Sequence, residues 1–139
     1  MKNGWLALVV IAGCATNSGP DIDATGTVQT QLTYGGGNCA KTGSEPFVMF
    51  LAKNAYGGYD MTQTAVGQDI NGNVVCGSVY CEIMFWKSWQ DNNNDSMNLE
   101  GTLTLDGNDM SIKGSGKYSL FGGLTGSCEQ VVTYKGALQ

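Results

Sequence analysis

The sequence predicts an all-β domain: a small antiparallel meander of about eight strands, closed as a barrel or folded as a two-sheet sandwich. Three observations carry that expectation. Helix formers are scarce beside 21 Gly and abundant Thr, Asn and Ser, a composition suited to short strands and turns. Several segments alternate apolar and polar residues with the period of two that a half-buried strand requires. Gly-Gly, Asn-Gly and Asp-Gly pairs separate those segments and supply the positive φ of tight hairpins. With 139 residues, 42 % of them hydrophobic, the chain has the size of one domain and enough apolar surface for a core.

The first expected strand is "ATGTVQTQLTY" (24–34), with Val28, Thr30, Leu32 and Tyr34 on one face and Thr27, Gln29, Gln31 and Thr33 on the other; "YGGGN" breaks it. Further strands are expected at 47–52, 59–70, 73–76, 79–90, 97–105, 110–120 and 127–135. Between them lie the turn signals "AYGGY" (55–59), "INGN" (70–73), "LDGND" (105–109) and "FGGL" (121–124). Around the Asp-Gly turn, Leu99, Leu103, Leu105, Met110 and Ile112 form the inward set, while Glu100, Thr102, Thr104, Ser111 and Lys113 face water. Hairpins in such a series close on themselves because an open sheet leaves two unpaired edges. Closure sets the last strand beside the first, which brings Cys39 and Cys128 to one rim. Cys76 and Cys81 flank "GSVY", a turn. Of the three pairings open to four cysteines, 39 with 128 and 76 with 81 is therefore favoured.

The amino-terminal residues have the layout of an export signal. Met1-Lys2-Asn3-Gly4 is short and weakly basic, and an apolar run from Trp5 to Ala12 follows it. That run is too short to span a bilayer, which takes about 20 residues in a helix. Ile11-Ala12-Gly13-Cys14 resembles the lipobox of bacterial lipoproteins, in which a branched aliphatic, a small residue and Gly or Ala precede an invariant Cys. The resemblance covers only the first 14 residues. It implies that 1–13 is a signal peptide cut before Cys14, and that the Cys14 thiol and the new amino terminus carry fatty acyl chains such as palmitate. Residues 14–24 then form the lipidated Cys and a flexible tether, with 25–139 as a single β domain. Ala15 is not the Asp that in enteric lipoproteins retains the protein at the inner membrane, so the resemblance points to the outer membrane of a bacterial cell envelope.

Cysteine arithmetic reaches the same place independently. Five Cys are an odd number for an exported chain; lipid on Cys14 leaves four for two disulfides in an oxidising compartment. Two or more acyl chains, at about 0.8 kcal/mol per buried methylene, make a stable membrane anchor.

The residue inventory narrows the chemistry. There is no His, and every basic side chain is Lys, so the commonest general base, the commonest transition-metal ligand and the bidentate guanidinium fork are all missing. Ser111 and Lys113 share a strand face, but a solvent one. "GSGKYS" (114–119) lacks the first Gly and the hydroxyl of a phosphate loop. In "DNNND" (91–95) Asp91, Asn93 and Asp95 have the spacing that opens an EF-hand loop, but Ser96 and Thr102 stand where its Gly and bidentate Glu belong. We therefore expect a non-enzyme with no cofactor and no metal. Beyond the signal, six Lys face twelve acids, a net charge of about −6 that disfavours nucleic acid and anionic headgroups.

The segment that invites a function is "VYCEIMFWKSWQ" (79–90). With Ile83 and Phe85 facing the core, Tyr80, Met84 and Trp86 point outward, and aromatics exposed beside a polar loop suit a protein or glycan partner. The candidate binding set is Tyr80, Met84 and Trp86 with Asp91, Asn93 and Asp95. The expected function is a lipid-anchored envelope binding module. The alternatives are a lipocalin-like carrier of a small apolar ligand and a structural envelope component.

Overall fold

The alternation in the sequence becomes alternation in space. In a computed structural model describing residues 22–63, 68–122 and 126–139, the strands are β1 (Gly26–Gly37), β2 (Ser44–Lys53), β3 (Tyr59–Gln63), β4 (Gln68–Asp69), β5 (Asn71–Cys76), β6 (Tyr80–Gln90), β7 (Ser96–Asp106), β8 (Ser111–Phe121) and β9 (Cys128–Leu138). They form one sheet in the order β4-β3-β2-β1-β9-β8-β7-β6-β5, antiparallel at every pairing. Only Ile70 separates β4 from β5. Its N–H donates to the Met61 carbonyl at 3.1 Å, while Asn71–Cys76 pairs with β6. The two segments act as one bent strand, so an eight-stranded meander curls into a nearly closed barrel with its seam along that strand.

Two expectations about local structure are corrected. Residues 59–70 are not one strand: β3 ends at Gln63, and the chain has reversed by Gln68. Asn71-Gly72 is not a hairpin turn but the start of β5. A Cβ on Gly72 would stand 2.7 Å from the Phe85 Cα, so this glycine permits a close backbone approach rather than a reversal. The first strand also outlasts Tyr34, reaching Gly37 through a register shift against β9, the signature of a bulge. The folded part starts earlier than residue 25, because Ala24 is fully buried and the Ile22 N–H donates to the Gly77 carbonyl at 3.1 Å. The lipobox, tether residues 15–21 and the second half of the 121–124 turn lie outside the described residues.

Each strand buries alternate side chains. Val28 and Leu32 of β1, Met49 and Leu51 of β2, Ile83 of β6, Leu103 and Leu105 of β7, Ile112 of β8 and Val132 and Tyr134 of β9 are essentially inaccessible. At mid-height Phe47 and Phe85 stack with centroids 5.1 Å apart, and Tyr134 meets both edge-on at 5.6 Å. Glycines make room for these rings. Gly101 and Gly116, paired across β7 and β8, occupy inward positions, and a Cβ on Gly101 would stand 2.9 Å from Phe85 Cε1. The expected inward set holds, with Leu99, Leu103, Leu105 and Ile112 buried and Met110 half-buried against the core.

The barrel has two unlike ends. The lower end collects the 54–58, 77–79 and 107–110 turns, and Ile22, Ala24, Tyr59, Met110 and Leu138 pack there. The upper end collects the β1–β2 and β6–β7 connections and the start of β9. Cys39 is bonded to Cys128 at the upper end, with Cα atoms 5.1 Å apart. Cys76 is bonded to Cys81 at the lower end, closing the β5–β6 hairpin at 4.0 Å.

Candidate functional site

The outer face of β6 presents Tyr80, Glu82, Met84, Trp86 and Ser88 in a row, since the inward row is Cys81, Ile83, Phe85 and Lys87. Tyr80 is 56 % exposed, Met84 40 % and Trp86 50 %, with Val75 of β5 alongside at 56 %. Register across the strands sets their neighbours: Asn73 and Thr102 flank Met84, and Asn71 and Glu100 flank Trp86. Next to Trp86 the outward side chains of β6, β7 and β8 stand around a concave stretch of backbone. A groove of about 390 Å³ runs over Gly101 and Gly116, walled by Met84, Trp86, Glu100, Thr102 and Ser115. An indole and a thioether on one side and a carboxylate and hydroxyls on the other suit a ligand with both an apolar face and hydrogen-bonding edges.

The structure separates the candidate residues into two places. Tyr80, Met84 and Trp86 share the outer face, whereas Asp91, Asn93 and Asp95 sit in the β6–β7 connection at the upper end, about 17 Å along the strand from Trp86 to Asp91. That loop is closed by its own hydrogen bonds: Asp91 Oδ1 accepts from the backbone N–H of Asn93 at 2.8 Å and of Asp95 at 3.0 Å. The Asp91 carboxylate thus shapes the turn. Among the described residues no group of three acidic, Cys or His side chains is arranged to hold a metal ion. Ser111 and Lys113 are both exposed on the outer face of β8.

A second constellation, not anticipated as a site, lies inside the upper end. Lys87, 8 % exposed, points inward, donates to Gln63 Oε1 and holds its ammonium 5.3 Å from the Trp89 ring centroid. Burial pushes that ammonium below the usual lysine range. Trp89 leans on Tyr118 at 6.4 Å, and Tyr118 meets Tyr34 edge-on at 5.7 Å. The Lys41 ammonium sits 4.7 Å from the centroids of both tyrosine rings, 3.0 Å from Tyr34 Oη and 3.8 Å from a Glu45 oxygen, while Tyr34 Oη donates to Glu45. Burial, and then that bond to Glu45, hold the Tyr34 phenol neutral far above its ordinary range. Strand parity carried the signal for Lys87 and Trp89, which follow Phe85 at i+2 and i+4. Alternation along β1 sets Tyr34 on the same face as Val28 and Leu32; only the tertiary fold brings Lys41 onto it.

No protein-family model matches the chain, and neither a curated protein nor a solved structure matches it.

Proposed function

We propose that the chain is a lipid-anchored lipoprotein of the bacterial cell envelope, with the outer membrane the favoured site, whose barrel is a non-catalytic binding module for a protein or glycan partner. The observation that carries the binding role is the Trp86 groove, an exposed indole and thioether facing a carboxylate and hydroxyls across a concave sheet surface. The packing of the barrel favours this role over the carrier, because Leu32, Met49, Leu103, Tyr134 and the Phe47–Phe85 stack fill the space a small apolar ligand would take.

The anchor is supported by the lipobox residues and by the sulfur count. Four cysteines are bonded to one another, which leaves Cys14 as the odd thiol. Ile22 is fixed at the lower end, eight positions after Cys14 in the sequence. Acylation at Cys14 would therefore turn the lower end toward the headgroups and leave the β6 face clear.

Two measurements test the reading. Pull-downs from envelope extracts and co-sedimentation with purified cell-wall glycan should recover a partner with the wild type and lose it with Trp86→Ala; equal recovery by both proteins rejects the groove. Intact mass of the membrane fraction should show an acyl adduct that Cys14→Ser abolishes, and a water-soluble, uncleaved chain rejects the anchor.

A further inference from the structure

We infer that the upper end of the barrel holds a second binding site, specific for a small organic ammonium cation and occupied in this structure by the side chain of Lys41. Its aromatic walls are Tyr34 and Tyr118, whose rings lie at equal distance, 4.7 Å, from the Lys41 ammonium. The ammonium meets Tyr34 beside its hydroxyl, 3.0 Å from Oη, so the attraction a cation gains from a ring quadrupole comes chiefly from Tyr118. Glu45 supplies a carboxylate 3.8 Å from the same nitrogen.

A pocket of about 470 Å³ opens beside Lys41 and Tyr118, with Asp95, Leu120 and the Cys39–Cys128 bridge among its walls. Asp95 points to the sign of the ligand. It is 6 % exposed, and among the described residues its Oδ1 is buried without a hydrogen-bond partner, an arrangement that a positively charged donor or a cation would relieve. After burial itself, the charges of Glu45, Asp91 and Asp95 hold the Tyr118 phenol neutral above its usual range; all three carboxylates act on the ring that faces the pocket.

The chain fills the cage in a way that allows exchange. Gln130, 5 % exposed, donates to the carbonyls of Gly35 and Lys41, and the Cys39–Cys128 bridge lies two residues from Lys41. The loop backbone is thereby fixed. The Lys41 side chain itself is 42 % exposed, and it is detained by an ion pair, a hydrogen bond to Tyr34 Oη and the two ring contacts. A ligand ammonium would displace it into solvent, meet the same rings and Glu45, and lie in the field of Asp95 on the pocket wall. The site is separate from the Trp86 groove, and its test does not depend on that reading.

The full chain should be titrated with choline by calorimetry, with the Trp89 indole resonance followed by NMR. The neutral isostere 3,3-dimethylbutanol is the charge control, and phosphatidylcholine vesicles distinguish a headgroup from a free cation. We expect saturable choline binding, about tenfold tighter in Lys41→Ala because the internal competitor is gone, and at least about tenfold weaker in Asp95→Asn. Saturation by vesicles alone assigns the same site to the headgroup. Lys41→Ala changes a half-exposed side chain, so its fold is secure if Asp95→Asn proves unstable. The inference is overturned if 3,3-dimethylbutanol binds as well as choline, if Lys41→Ala gains nothing, or if neither choline nor vesicles saturate the Lys41→Ala protein by about 10 mM.

Discussion

Gly116 sits on the inward row of β8, where an added Cβ would stand 2.6 Å from the Gly101 Cα, a backbone atom with nowhere to move. The Cβ of an alanine at Gly101 would instead press on the Phe85 and Tyr134 ring edges at 2.9 and 3.0 Å, which can tilt. Gly116→Ala should therefore destabilise by about 1–3 kcal/mol and Gly101→Ala by less, as urea unfolding would measure; equal costs would mean that these glycines serve ring packing rather than strand curvature. At the same scale, the outward direction of Tyr80, Met84 and Trp86 was legible from parity alone, because Ile83 and Phe85 had to face the core. The occupancy of the upper end by Lys41 was not, since it depends on a loop-borne side chain meeting rings from β1 and β8.

The strands were legible as elements because the period-two pattern is strong and the Asp-Gly and Gly-Gly turns stand where the chain reverses. The "INGN" signal misled for a physical reason: a glycine that lets Phe85 approach its backbone looks, in one dimension, like a glycine that makes a turn. The disulfides tie elements at different range. Cys39–Cys128 spans 89 residues and Cys76–Cys81 only 5, so the chain-entropy model assigns about 4–5 kcal/mol to the first and about 2 to the second. Replacing both members of each pair by Ala should show that ordering in urea midpoints under oxidising conditions. The reverse order would mean that the hairpin bridge at the lower end, beside Ile22 and the packed turns, is the more important clamp.

For the whole molecule, the interior sets an alkaline limit. Burial holds Tyr34, Tyr118 and Tyr134 neutral, raising each phenol above its value of 10.0 in the unfolded chain. Because the unfolded chain releases these protons first, their contribution is complete below about pH 10 and is lost as pH rises through the raised folded values. Lys87 acts the other way. Its lowered folded pKa costs stability at neutral pH, and that cost is relieved as pH climbs toward 10.5. Stability should thus hold or rise slightly up to about pH 10 and then fall, with phenolate absorbance from the two buried tyrosines, Tyr118 and Tyr134, appearing only with unfolding. Tyr134→Phe should flatten part of the fall at little cost near neutrality, since among the described residues the buried Tyr134 hydroxyl has no partner. Reversible ionisation of all six tyrosines in the folded protein would contradict this account.

The sequence by itself determined the all-β class, the number of strands, most of their inward faces and the favoured cysteine pairing, because each follows from local alternation, turn chemistry or simple counting. Tertiary structure alone decided that the sheet curls into a barrel, that Gly101 trades volume with Phe85 and Tyr134, and that Lys41 reaches its tyrosines. Those are long-range facts: they depend on which strands become neighbours, and no spacing along the chain encodes a distance across the barrel.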